Sequence, residues 1–178
     1  MPSRQCSGSY YPPPRLRGGE AGGAVFCDGA SIHPGPLYHP DMTSDLFALR
    51  QLLEQSRTIA VVGLSPDEQR PSHGVARYLQ AHGYRIVPVN PRCTEVLGEA
   101  CFASLEEIPF PVDLVDVFRR TEELVPIARS AVAIGARGLW QQLGVVNAEA
   151  DAIALADGLV SVMNRCIEID HRRLYAGR

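Results

Sequence analysis

The chain has 178 residues, 46% of them hydrophobic and 21% charged, with a formal net charge of −3, which suits one globular domain with a buried core. The acidic balance argues against a general nucleic-acid-binding protein, and no apolar run approaches the roughly 18 residues that a membrane-spanning helix needs. The five cysteines lack the spacing of a zinc site or a disulfide framework, so we expect a cytoplasmic protein that binds no metal.

Residues 1–41 differ in composition from the rest of the chain. They are rich in glycine, proline, serine and arginine and show neither a helix period nor a strand period. Such a segment buries too little apolar surface to offset the entropy of ordering it, so we predict a disordered N-terminal tail. Two alternatives stay open: an upstream mistranslation, with the true start at Met42, and a flexible partner-binding tail. Residues 42–178 are predicted to form a single domain.

From Thr43 onward, helix and strand patterns alternate. Thr43 or Ser44 is expected to cap a first helix whose leucines share one face. Apolar runs predict strands at 58–64, 84–89, 114–118, 138–143 and 159–163. Helices are predicted at 72–82, 121–134, 148–157 and 166–175, with glycines after the first two. A short extended excursion is expected between residues 92 and 102.

This alternation predicts the fold class. The strands are nearly continuous apolar runs, as in a parallel sheet that is covered on both faces. Short connections suit right-handed crossovers, so we predict an α/β fold, a doubly wound Rossmann-type parallel sheet of about five strands. In such sheets a ligand binds beyond the carboxyl ends of the strands, where the strand order switches.

The turn after the first predicted strand has the residues of a phosphate cradle. Gly63 permits close approach of the backbone, Ser65 and Ser72 offer hydroxyls, and Arg70 offers a planar cation. The turn lacks the G-x-G-x-x-G pattern, so NAD is not indicated. The alternative interpretation is a glycine turn with a capping serine and a solvated arginine.

The turn after the second strand bears on the choice of ligand. An NAD site places a carboxylate here to accept from the ribose 2′-hydroxyl, whereas this chain has Asn90, Pro91 and Arg92. An amide and a guanidinium favour a ribose that carries an extra phosphate, as in coenzyme A or NADP. A surface turn with a solvated arginine is the alternative.

The later strand ends supply further candidates. Phe118 could stack on an adenine, and Arg119 or Arg120 could add positive potential. The alternative is a core phenylalanine followed by two solvated arginines. Trp140 is expected in the core, and either Gln141 or Gln142 is expected to face a ligand, because neighbouring residues on a strand point in opposite directions.

Two residues near helix starts are assigned quieter roles. We expect Cys166, beside Asn164 and Arg165, to be a buried cysteine rather than a reactive thiol, and His73 to be exposed at its helix start. No histidine has an evident nucleophile and carboxylate beside it, so no catalytic residue is assigned.

These segments, taken in order, resemble the stand-alone CoA-binding proteins, small Rossmann domains similar to the CoA-binding domain of the succinyl-CoA synthetase α subunit. The resemblance covers about residues 46–174. The matching segments are IAVVGLS at 59–65 with RPS at 70–72, VPVNP at 87–91, VLGE at 96–99, VDLVDVFRR at 112–120, WQQLG at 140–144 and NRCI at 164–167.

The resemblance implies that coenzyme A or an acyl derivative binds across the strand ends. It assigns the pyrophosphate to Gly63, Ser65, Arg70 and Ser72, the adenosine and its 3′-phosphate to Asn90, Pro91 and Arg92, and the nucleotide slot to Val117, Phe118 and Arg119. Leu64, Gln142, Asn164 and Arg165 complete the predicted binding set.

We expect a non-catalytic binding or regulatory module, monomeric or homodimeric, because the synthetase's second domain is not visible in the sequence. The alternatives are an NADP-dependent oxidoreductase or another nucleotide-using enzyme, and a structural α/β partner protein whose site is vestigial.

Overall fold

The computed structural model of the chain describes residues 46–176. The predicted tail at 1–41, the alternative start at Met42 and the predicted cap at Thr43 or Ser44 lie outside the described residues. In chain order the strands are β1 (Thr58–Val62), β2 (Arg85–Val89), β3 (Glu95–Val96), β4 (Glu99–Ala100), β5 (Leu114–Val117), β6 (Gly138–Gln141) and β7 (Val160–Val162). The helices are α1 (Leu46–Gln55), α2 (Pro71–Ala81), α3 (Leu124–Ala133), α4 (Ala148–Ala156) and α5 (Ile167–Tyr175), with a 3-10 turn over Thr121–Glu123 before α3.

The main sheet has five parallel strands in the order β2-β1-β5-β6-β7. This confirms the predicted doubly wound α/β sheet. From β1 the chain first moves outward to β2 and then returns to β5 on the other side of β1. The order therefore switches between β1 and β5, and their carboxyl ends form the crevice where such folds bind ligands.

The side chains of β1 divide the core into two layers. Ile59 and Val61 lie in a first layer with buried residues of α1, α2 and α5. Ala60 and Val62 lie in a second layer with residues of α3 and α4. Because successive strand residues point to opposite faces, one short strand serves both layers.

Local signals account for several helix ends. Asn147 caps α4, since its side-chain oxygen accepts a 2.9 Å hydrogen bond from the Ala150 N–H. Gly83 and Gly135 follow α2 and α3 with φ of +88° and +71°, as predicted for C-terminal glycines.

Trp140 is fully buried in the first layer and donates from Nε1 to the Arg165 carbonyl at 2.7 Å, which confirms its predicted core position. Within residues 46–176 no helix combines the length and apolar character required to cross a bilayer.

Candidate functional site

Hydrogen bonds hold together the carboxyl ends of β2, β1 and β5. The N–H of Gly63 donates to the last carbonyl of β2, and the N–H of Phe118 donates to the last carbonyl of β1, each at 2.9 Å. The Asn90 side chain donates to the Leu64 carbonyl at 2.8 Å. These contacts bring residues from three predicted turns to one edge of the sheet, at the switch in strand order. We call this edge the candidate site.

Gly63 forms the centre of the candidate site. Its φ is +87°, and a Cβ atom there would lie 2.7 Å from the Phe118 carbonyl oxygen and 3.1 Å from Cδ of Arg119. Only glycine therefore lets β5 and the Arg119 side chain approach the turn so closely. The Arg119 guanidinium also lies 3.8 Å from the Glu123 carboxylate, and its side chain is 27% exposed.

The loop between Gly63 and α2 is organised by its own side chains. The Ser72 hydroxyl accepts from the Ser65 N–H, and the Ser65 hydroxyl accepts from the Asp67 N–H, both at 3.1 Å. Each of these hydroxyls keeps its own hydrogen for a further bond, but Ser72 is only 4% exposed, whereas Ser65 is half-buried. The helix that follows starts with Pro71, so the loop leads to the positive end of a helix.

Asn90 shapes the turn after β2. Its side chain donates to Leu64 and at the same time accepts from the Arg92 N–H at 3.0 Å. Pro91 and Arg92 are both exposed. The amide thus fixes the turn to the neighbouring strand end and leaves the guanidinium on the solvent side.

Three arginines lie in the connections that follow β1, β2 and β5. Arg70 has a 70% exposed side chain and reaches Asp67 only at 3.9 Å, an exposed contact of little energetic weight. Arg92 and Arg119 come from the turns after β2 and β5. Guanidinium groups that are exposed and loosely paired are available to a phosphate.

Two predicted site residues have fully buried side chains. Leu64 and Val117 are both 0% exposed. Phe118, the residue directly after β5, is partly buried against the first core layer. The side chains of Leu64 and Val117 therefore pack in the core and do not face a ligand. Leu64 contributes to the site through its carbonyl oxygen, which accepts from Asn90.

The remaining predicted residues belong to a second network at the ends of β6 and β7. Gln142 donates to Asp116 at 2.8 Å, and Asn164 accepts from the Gly144 N–H at 2.9 Å. Arg165 makes two 2.7 Å hydrogen bonds to Asp170, which raise the pKa of the guanidinium. These side chains hold loops in place, and the Arg165 charge is already paired.

Both glutamines of β6 and its turn face polar partners inside the protein. Gln141 is fully buried and accepts from the Asn147 N–H at 3.0 Å, while Gln142 is buried against Asp116. The two glutamine side chains thus contact different parts of the protein, Asn147 and Asp116, and each already has a protein partner.

Asp116 is a fully buried carboxylate on β5, one residue before the end of the strand. Burial raises its pKa to about 7, although hydrogen bonds from Gln142 and the Val117 backbone oppose this shift. Its Oδ2 atom has no hydrogen-bond partner in the described part of the chain. Near neutral pH this group is therefore only partly ionised.

His73 differs from its prediction. It was expected to be exposed, but it is only 6% exposed, and its Nδ1 has no hydrogen-bond partner among residues 46–176. The reason is helical spacing, because His73 is three residues before the buried Ala76 on the same face of α2. That spacing was readable from the sequence.

A cavity of about 680 Å³ lies at the opposite edge of the sheet, where the amino ends of the strands are, beside residues that precede β1 and β2. Burial lowers the pKa of His171, helped by His82 and Arg172, and burial raises the pKa of Tyr84 to about 12. Sequence reasoning missed this cavity because its walls come from distant segments. Its aromatic walls are Tyr78, His82, Tyr84, His171 and Tyr175.

Comparison with known proteins agrees with the family resemblance seen in the sequence. A family model described as "CoA binding domain" matches residues 57–172. A Bacillus subtilis protein, the uncharacterized protein YneT, is 42% identical over 123 residues, which are 69% of this chain and 91% of that protein.

A solved structure of a hypothetical protein from Pyrococcus horikoshii has a TM-score of 0.73 and 36% identity, and the match covers 78% of this chain and 97% of that one. An ADP-forming acetate–CoA ligase from Archaeoglobus fulgidus is 34% identical over 58 residues, 33% of this chain but only 8% of the ligase.

Proposed function

This chain belongs to the family of CoA binding domains, and from that premise we propose that it binds coenzyme A, free or acylated, at the carboxyl ends of β1, β2 and β5. We further propose that it acts as a binding or regulatory module and not as an enzyme. The cytoplasmic location and the monomeric or homodimeric state stay predictions from the sequence.

The observation that carries the proposal is the glycine turn with an arginine against it. The space that a Cβ of Gly63 would need is filled by the Phe118 carbonyl and the Arg119 side chain. A diphosphate would be held here by the backbone of the turn, by the hydroxyls of Ser65 and Ser72, and by Arg70 and Arg119. Helix N-termini and guanidinium groups both favour the binding of phosphate.

The turn after β2 supports a ligand with a third phosphate. Asn90 and Arg92 occupy the place where an NAD site has an acid. Arg92 is exposed, and its backbone is fixed by the Asn90 side chain. We assign Arg92 to the 3′-phosphate of the adenosine.

The positions of the described histidines support a non-catalytic role. His73 is buried in the first turn of α2, and His82 and His171 line the cavity at the opposite edge. Coenzyme A would bring its own thiol, and the residues of the candidate site would bind and orient the ligand.

The test compares coenzyme A with dephospho-coenzyme A by calorimetric titration of the full chain. Arg92→Ala should weaken the binding of coenzyme A by about 10-fold, which corresponds to the loss of one charge-assisted contact. The affinity for dephospho-coenzyme A should change much less. Arg129→Ala is the matched control, because it removes the same charge from an exposed position on α3.

The titration has clear adverse outcomes. Equal losses for both ligands in Arg92→Ala would overturn the assignment of the 3′-phosphate. If the unmodified chain binds NADP more tightly than coenzyme A, the alternative of an NADP-using enzyme is favoured instead.

A further inference from the structure

A small hairpin beside the candidate site carries two cysteines. Strands β3 and β4 pair in antiparallel fashion and are joined by Leu97 and Gly98, which have φ of 55° and 76°. A turn with two left-handed residues matches the twist of a tight hairpin. Cys93 lies just before the hairpin, and Cys101 lies just after it.

The hairpin brings the two sulfur atoms together. The Cys101 N–H donates to the Thr94 carbonyl at 2.9 Å, which fixes the backbone of the two arms. The two Sγ atoms are 3.5 Å apart. A disulfide has a bond length of about 2.05 Å, so the two sulfur atoms need to approach each other by only about 1.5 Å to form the bond.

The two thiols are chemically different. The Cys101 thiol donates its hydrogen bond to the sulfur of Cys93. Burial, followed by this hydrogen bond, raises the pKa of Cys101 to about 12. Because the pKa of Cys101 is raised, Cys101 is suited to act as the second thiol, and this leaves Cys93 as the first to attack.

We propose that Cys93 and Cys101 form a thiol–disulfide exchange site for small, diffusible disulfides, with Cys93 as the attacking sulfur and Cys101 as the resolving one. The Cys93 thiolate attacks one sulfur of the small disulfide, whose S–S bond breaks and releases one thiolate. Cys101 then loses its proton and attacks the Cys93 sulfur, which releases the second thiolate. The two cysteines together lose two electrons and two protons, and the small disulfide becomes two thiols.

The new bond would act on the candidate site through the backbone. Phe102, next to Cys101, donates to the Pro88 carbonyl at 3.0 Å and accepts from the Asn90 N–H at 2.9 Å. Cys93 follows Arg92 directly. A disulfide would therefore fasten both ends of the turn that carries Asn90 and Arg92 to the same hairpin.

The test uses the full chain with Cys6→Ser, Cys27→Ser and Cys166→Ser, so that only the two hairpin cysteines react. After incubation with glutathione disulfide, intact mass should show a chain lighter by two hydrogen atoms. Adding Cys101→Ser should instead give a stable adduct with one glutathione on Cys93. With Cys93→Ser, the adduct on Cys101 should form at least about 10-fold more slowly than the adduct on Cys93 in the Cys101→Ser chain, because burial, the largest cause of the raised pKa of Cys101, remains when Cys93 is replaced.

Two results would overturn the proposal. One is a three-serine chain that stops at the glutathione adduct or keeps its mass. The other is equal adduct rates in the Cys93→Ser and Cys101→Ser chains. Alanine in place of serine at either position gives an independent check that the outcome does not depend on the new hydroxyl. Neither result depends on coenzyme A, so the proposed function is tested separately.

Discussion

At Gly63 the chain leaves β1 in a left-handed conformation and passes close to β5. A Cβ atom would approach the Phe118 carbonyl oxygen to 2.7 Å, closer than such atoms normally come. Gly63→Ala should therefore lower the free energy of unfolding by about 2 kcal/mol or more, from backbone strain plus the clash. Urea denaturation followed by circular dichroism measures this change.

Gly83 supplies a matched control for that substitution. Its φ of +88° is almost the same, but nothing lies within 4 Å of the position of its Cβ atom. Gly83→Ala should show the backbone strain alone and should keep coenzyme A binding, whereas Gly63→Ala should lose it. Equal destabilisation by the two alanines would contradict the close approach of β5 to the turn.

Asp116 should make stability depend on pH. Burial raises its folded pKa from 3.8 to about 7. The folded chain then binds more protons than the unfolded chain between these values. The stability that the protonated group contributes is complete below the unfolded pKa and is lost as the pH rises through about 7.

Asp116→Asn should remove that dependence. The replacing amide oxygen can still accept from Gln142, and the group no longer ionises. Between pH 4 and pH 8 the variant should gain stability relative to the original chain, by at most about 4 kcal/mol at 1.36 kcal/mol per pKa unit. Urea midpoints at several pH values measure the difference, in which the opposite contribution of His171 cancels. Parallel curves for the two chains would mean that Asp116 stays ionised when buried.

At the scale of elements, the sequence predicted the type and order of the strands and helices of the main sheet and the end of β2, but it placed the ends of other strands too far along the chain. The first predicted strand ran to Leu64 and the fourth to Leu143, whereas β1 ends at Val62 and β6 ends at Gln141. Leu64 is fully buried outside any strand, and Leu143 is 65% exposed. Apolar character reports burial, and strand pairing depends on the neighbouring backbone, which a single sequence does not show.

The candidate site shows the same division. The meeting of the turns that contain Gly63, Asn90 and Phe118 followed from the parallel sheet, because all carboxyl ends share one edge. The partners of individual side chains did not follow. Arg165 was predicted to be a binding residue, but the start of α5 places Asp170 against its guanidinium. Such pairings depend on how a loop enters a helix, and no periodicity encodes that.

At the scale of the whole molecule, both core layers depend on the same sheet. The backbone of β1 pairs with β2 on one side and β5 on the other, while its side chains fill both layers. Neither layer can separate from the sheet without leaving the other layer's strands uncovered on one face. Residues 46–176 should therefore unfold as one cooperative unit, as domains of this size usually do.

Leu124→Ala tests that cooperativity from the second layer. Leu124 is fully buried on α3, and the single tryptophan of the chain, Trp140, is fully buried in the first layer. The substitution should cost about 2–5 kcal/mol through the cavity it leaves. In urea, the transition seen by Trp140 fluorescence should shift as far as the transition seen by circular dichroism. Leu53→Ala, in the first layer, should shift both signals in the same way. A Trp140 transition that stays in place in the Leu124→Ala chain would mean that the two layers unfold independently.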